Sequence, residues 1–185
     1  MKNLFKLYSL IFASLLMVSC GDEDLEPTLA QDKDLASGIQ TADDLYSVLN
    51  SAYDRMTSSG YYMRNFIVMG EVRTDNMYSN VNSGRFVSSD MNHNPDGFGP
   101  WGTIYGVIAI TNIVANIDAS SLEGNPAQIN HIIGQAHALR ALCHFDLLRN
   151  YGQHFIDGQG GLESLDVPYV KTYKDLANLQ PSRDT

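Results

Sequence analysis

Apolar residues recur along this chain at a helical period in three places. Leu45, Val48, Leu49, Ala52, Tyr53 and Met56 fall on one stripe, spaced i, i+3, i+4, i+7, i+8 and i+11. Thr41 stands ahead of that stripe as an N-cap, and Asp43 and Asp44 suit the positive end of a helix dipole, Asp44 as the acid of a capping box. The pattern runs out at Thr57-Ser58-Ser59-Gly60. A second helix is predicted from Pro100 to Ile117. Trp101, Ile104, Tyr105, Ile108 and Ala115 make one face, while Ile110, Ile113, Val114 and Ile117 make another, so neighbours should cover it on both sides. The third opens with Asn125 as cap and Pro126 in its first turn. It continues through Ile129, Ile132, Ile133, Ala136, Leu139, Cys143 and Leu147 to Tyr151, where Gly152 can end it. At 1.5 Å per residue it would span roughly 39 Å.

The short link Asp118 to Gly124 makes the last two helices an antiparallel hairpin, with the first helix packed beside them. The predicted fold class is therefore all-α, a tetratricopeptide-like antiparallel scaffold with long irregular loops. The spacing Ala141-x-x-x-Phe145 fits that likeness, but no repeat at the period of about 34 residues is visible. Tyr61 to Met69 reads equally as a short helix or a buried strand. Asp75 to Gly99 holds Asn76, Asn80, Asn82, Asn92, Asn94 and Pro95, and reads as a long irregular loop with a brief extended piece at Arg85-Phe86-Val87. Loops of that length inside a compact domain often carry function.

The start of the chain is of another kind. Lys2 and Lys6 precede an apolar run from Leu7 to Val18, too short to span a bilayer, which needs about 20 apolar residues. Leu16-Met17-Val18-Ser19-Cys20 then matches a bacterial lipobox, with Met17 where leucine is commoner. Residues 1–19 are thus expected to be a lipoprotein signal peptide and Cys20 the lipidated residue. Residues 20–40 read as an acidic tether, since Gly21-Asp22-Glu23-Asp24-Leu25-Glu26-Pro27 is poor in apolar side chains and broken by proline. With Cys20 given to lipid, Cys143 is the one other cysteine and is read as a small core residue. The formal charge of −9 becomes −11 without residues 1–19, since ten basic residues then face 21 acidic ones. That excess argues against nucleic acid and against electrostatic docking on anionic lipid, leaving the lipid anchor as the membrane contact.

Signatures of catalysis are missing. There is no phosphate-binding glycine loop, nucleophile elbow, His-Glu-x-x-His or cysteine pair at metal spacing. His137 and His144 sit two helical turns apart, too far for one metal without a further element, and Glu71 with Asp75 reads as ordinary hydrogen-bonded acids. No cofactor, metal or catalytic residue is expected. One constellation does invite a ligand. Arg73, Asp75, Asn76, Tyr78, Asn80 and Arg85 combine planar hydrogen-bonding groups with an aromatic face, the two things a sugar needs. The competing reading is an Asx-rich turn region whose side chains cap their own backbone.

Several segments in order resemble the SusD/RagB family of nutrient-binding outer-membrane lipoproteins. They are Cys20, Leu49-Asn50-Ser51-Ala52-Tyr53, Gly70-Glu71-Val72-Arg73-Thr74-Asp75-Asn76, and Trp101-x-x-x-Tyr105-x-x-Ile108-x-x-x-Asn112. Gln135-Ala136-His137-Ala138-Leu139-Arg140-Ala141 follows, then Phe145-Asp146-Leu147-Leu148-Arg149-Asn150-Tyr151-Gly152 and Val167-Pro168-Tyr169. The resemblance implies a lipid-anchored protein, displayed at the cell surface, that binds oligosaccharide or peptide. It also implies a partner, a TonB-dependent transporter of the SusC type, and no enzymatic activity. It places ligand contacts in the loop after Glu71–Asn76, with Asp75 the best single position, and Trp101 in the scaffold core. Family members are far longer, so residues 41–185 are expected to be the N-terminal part of such a domain. Two other readings stay open: a peptide-binding uptake protein, and a helical docking module with no small ligand.

Overall fold

In the computed structural model, residues 38–93, 99–153 and 163–183 are described. The signal segment, Cys20, most of the tether, and Asn94 and Pro95 of the loop lie outside them. Residues 39–185 cluster as one unit. Its elements are α1 (Ala42–Met56), α2 (Asn65–Glu71), α3 (Val87–Asp90), α4 (Trp101–Ala115), a 3-10 turn (Ala119–Ser121) and α5 (Pro126–Tyr151). Among the described residues the one β-type contact is a parallel bridge between Thr41 and Glu123.

Two of the long helices, α1 and α5, start where their caps predict. The Thr41 hydroxyl accepts the Asp44 amide at 3.1 Å, and the Asp44 carboxylate accepts the Thr41 amide at 3.1 Å, a closed capping box. Asn125 Oδ1 accepts from the Ala127 amide at 2.9 Å, with Pro126 already in the first turn. Gly152 ends α5 by donating its amide to the Leu148 carbonyl at 2.8 Å. The chain is fixed slightly before α1, because Ala42 donates to the Glu123 carbonyl and Glu123 to the Gln40 carbonyl, both at 2.9 Å. Ile39, at the end of the expected tether, packs on the core.

Side-chain pairs give the helix directions. Trp101 meets Tyr151 and Asn112 meets Arg140, so α4 and α5 run antiparallel. Ala42 lies against Gly124 and Tyr53 bonds Gln135, so α1 runs parallel to α5. Between the three lies a core of Leu45, Leu49, Ala52, Ile104, Val107, Ile108, Val114, Ile129, Ile132, Ala136 and Leu147, all buried. Fully burying a side chain of the Leu or Ile kind contributes about 1.5–3 kcal/mol, and this shared core holds the frame together.

Two expectations need correction. Arg85-Phe86-Val87 is not extended: Phe86 is left-handed, with φ 60°, and caps the one-turn helix α3. The Asp90 amide closes that turn on the Phe86 carbonyl at 2.8 Å. Trp101 is not core, since 40% of it is exposed. It sits in the first turn of α4, tilted against Tyr105 with ring centroids 4.9 Å apart and edge-on to Tyr151 at 4.8 Å. Of Tyr61–Met69, left open between helix and strand, the first four residues are turns and the rest belong to the short helix α2.

Candidate functional site

The segment after α2 starts from an anchor in the core. Tyr61 and Tyr62 both donate their hydroxyls to Oδ2 of buried Asp146 on α5, each at 2.6 Å. Their rings gather with Phe66, the first apolar residue of α2, at centroid distances of 4.4, 5.3 and 5.1 Å. The Arg149 guanidinium lies over Phe66 at 5.2 Å and 3.3 Å from Asp146 Oδ1. Burial first, then the hydrogen bond to Asp146, pushes the Tyr62 hydroxyl up to about 12 and raises Tyr61 further. Both phenols are thus neutral donors at any ordinary pH.

Beyond Val72 the chain turns away and two adjoining clefts open. One, of about 370 Å³, is lined by Arg73, Asp75, Asn76 and Tyr78 together with Asp90 and Asn92. The other, of about 350 Å³, is lined by Tyr78, Asn80, Ser83 and Arg85 over an apolar floor that includes Val68 and Phe86. Tyr78 belongs to both clefts and is 80% exposed. All six sequence-predicted residues therefore come together around one aromatic ring. Asp90, Asn92 and the apolar floor were not anticipated. Asp90 carries the missing signal, because its Oδ2 accepts the Ser79 amide at 3.2 Å and joins the two ends of the loop.

Hydrogen bonds divide the loop's polar residues into two groups. Asn76 Nδ2 donates to Glu71 Oε2 at 2.9 Å, and Thr74 Oγ1 to the Glu71 carbonyl at 2.8 Å. Ser79 Oγ donates to the Arg85 carbonyl at 2.8 Å, and Ser83 Oγ accepts the Arg85 amide at 3.3 Å. Thr74, Ser79 and Ser83 thus hold backbone, as the turn reading predicts, while Asn76 is held by the Glu71 side chain. By contrast, among the described residues the side chains of Asp75, Tyr78, Asn80 and Arg85 take no hydrogen bond or ion pair. They are exposed around the clefts. Arg73 is partly buried; burial raises the Tyr151 hydroxyl, and a backbone hydrogen bond at Trp101, then the Arg73 charge, draw it partly back.

The remaining candidates are occupied elsewhere. Glu71 holds Asn76, and Asp75 is not paired with it. His137 Nδ1 lies 3.0 Å from Arg140 Nη2, while His144 is buried and bonded to Arg140 and Val170. Among the described residues no three His, Cys, Asp or Glu side chains are grouped to hold a metal. Cys143 is buried beside the Tyr61 hydroxyl at 3.8 Å, and burial pushes its thiol up to about 11.

Comparison with known proteins fits this frame. Residues 25–185 match the SusD-like family described as "starch-binding associating with outer membrane", and the chain belongs to that family. A SusD-like protein of Bacteroides ovatus is 23% identical over 80% of this chain, and SusD-like protein P2 of Formosa agariphila 23% identical over 89%. The chain spans 27% and 31% of the length of those two relatives. A crystal structure of a SusD superfamily protein from Bacteroides vulgatus superposes with a TM-score of 0.67 at 29% identity. It covers 80% of this chain and 34% of its own.

Proposed function

We propose that this protein is a lipid-anchored outer-membrane protein that binds glycan at the paired clefts around Tyr78 and hands it to a TonB-dependent transporter of the SusC type. The observation that carries the reading is the exposed Tyr78 ring with Asp75, Asn80 and Arg85 beside it, side chains that the loop's own backbone leaves unused. A pyranose offers an apolar C–H face and a rim of hydroxyls. The ring suits the first, and the carboxylate, amide and guanidinium suit the second. The family's description as starch-binding and associated with the outer membrane supports both ligand class and location. The role on this reading is binding and delivery rather than catalysis.

Isothermal titration of the full chain with maltoheptaose and a panel of other oligosaccharides tests this. Tyr78→Ala is expected to weaken the best ligand about 5- to 30-fold, since stacking on an aromatic ring is worth roughly 1–2 kcal/mol. Asp75→Ala should add to the loss, with helical circular dichroism unchanged. Unaltered affinity in both variants would remove the loop from the site, and binding of peptides alone would move the reading to peptide uptake.

A further inference from the structure

Residues 165–171 cross the α4–α5 hairpin as an irregular strap whose carbonyls are caught by side chains. The Tyr105 hydroxyl donates to the Pro168 carbonyl at 2.8 Å. Asn112 Nδ2 donates to Val170 at 3.2 Å and Asn116 Nδ2 to Lys171 at 2.7 Å. Arg140 Nη1 reaches the Lys171 carbonyl at 3.4 Å and Asn112 Oδ1 at 3.0 Å. One contact has the opposite polarity: the Val170 amide donates to Nε2 of His144 at 3.2 Å.

Both nitrogens of that imidazole are committed. Nδ1 lies 2.9 Å from the Arg140 carbonyl, which can only accept, so Nδ1 carries the hydrogen. Nε2 faces an N–H and must offer its lone pair. The contact therefore exists for the neutral ring in one tautomer only. A proton on Nε2 would set two N–H groups against each other and leave the Val170 amide without its acceptor.

The groups around the ring do not favour a second proton. On α5 the charged neighbour is Arg140. On the strap, the Tyr169 ring stands edge-on at 4.4 Å, with the Lys171 ammonium 5.4 Å from that ring's centre. On α4 the facing groups are the neutral amide of Asn112 and Tyr105, whose hydroxyl burial pushes up to about 12.

We propose that His144 is an acid-sensitive latch, and that protonation of Nε2 frees the strap 165–171 from the hairpin. Burial first, with the Arg140 charge adding to it, holds the ring below its ordinary value of 6.5, against the opposing pull of the Arg140 carbonyl. The released form takes up a proton that the latched form resists. Opening is then independent of pH above about 6.5 and rises by up to tenfold per pH unit below it, until the latched ring itself titrates. The hydrogen bonds from Tyr105, Asn112 and Asn116 do not titrate in this range; the other imidazole beside a strap contact is His137, 3.0 Å from Arg140, and His144→Gln, which keeps it, separates the two.

Hydrogen exchange of the Val170 amide in the full chain, corrected for the intrinsic pH dependence of exchange, tests the latch between pH 7.5 and 5. Protection should be flat down to about 6.5 and then fall, while His144→Gln, whose amide oxygen can still accept from Val170, should stay flat. Ring nitrogen NMR of the unmodified protein provides a check that needs no variant, with the neutral Nδ1–H tautomer expected at pH 7.5. An Nε2–H tautomer, pH-independent protection in the parent chain, or the same acid dependence in His144→Gln would each overturn the proposal.

Discussion

Asp146 is the residue on which most of the site's support converges. Its carboxylate is buried, accepts two tyrosine hydroxyls and faces Arg149, whose own side chain is half exposed. A partly solvated ion pair of that kind contributes little, about 0–1 kcal/mol. The two phenol hydrogen bonds matter more, because losing their acceptor leaves two donors poorly satisfied in the core. Asp146→Ala is expected to cost about 2–5 kcal/mol. Tyr61→Phe should cost about 1–2 kcal/mol, and Tyr62→Phe less because Tyr62 is only partly buried. Urea unfolding of each variant measures the order, and Tyr62→Phe proving the most damaging would mean that the carboxylate is not the centre of the anchor. None of this was legible in the sequence, where Asp146, the one acid of α5, entered only as part of the segment Phe145–Gly152. A buried acid is recognisable only when its donors are known, and Tyr61 and Tyr62 come from a segment more than eighty positions away.

At the scale of elements, two glycines of the same region should respond in opposite senses. Gly124, just ahead of the α5 cap, has φ +137°, and a Cβ there would lie 2.8 Å from the Ala42 Cβ. Gly134 is exposed in mid-helix, and a Cβ there would meet nothing within 4 Å. Gly124→Ala is expected to destabilise by about 2 kcal/mol or more, through backbone strain and the push on the start of α1. Gly134→Ala should stabilise by about 1 kcal/mol through helix propensity alone. Denaturation midpoints moving in the same direction would contradict this account of the α1–α5 junction. The helices themselves were readable because Thr41, Asn125, Pro126 and Gly152 mark their ends chemically. The facing of α4 was not. A helix apolar on every side carries no direction in its pattern, so its neighbours chose Ile104, Val107, Ile108, Thr111, Asn112 and Val114 as the buried set and left Trp101 partly outside. Phe86 shows the same limit on a smaller scale, because nothing in an aromatic residue announces a left-handed backbone. The strap had a faint signal, the amides of Asn112 within α4 and Asn116 at its C-cap, each needing a partner that the helix could not supply.

For the molecule as a whole, the six side chains could be proposed from sequence because aromatic and amide residues cluster visibly, while their division into loop-holding and unused groups required the fold. How the protein meets its membrane rests on other grounds. No helix among the described residues is long and apolar enough to cross a bilayer, and the −11 charge of residues 20–185 repels anionic headgroups. The attachment we propose is acylation of Cys20, for which Leu16-Met17-Val18-Ser19-Cys20 is the motive. Each buried methylene contributes about 0.8 kcal/mol, so one acyl chain binds marginally while a diacylglycerol thioether holds firmly. Cys20→Ser is therefore expected to lose fatty-acid label and to leave the outer-membrane fraction, either as a released protein or as an uncleaved precursor. Metabolic labelling with an alkyne fatty acid, with fractionation of the same cells, reads both outcomes at once. Equal label in parent and variant would mean that Cys20 is not the acylated residue. Loss of label with unchanged outer-membrane retention would mean that a protein partner, and not lipid, holds the chain in place.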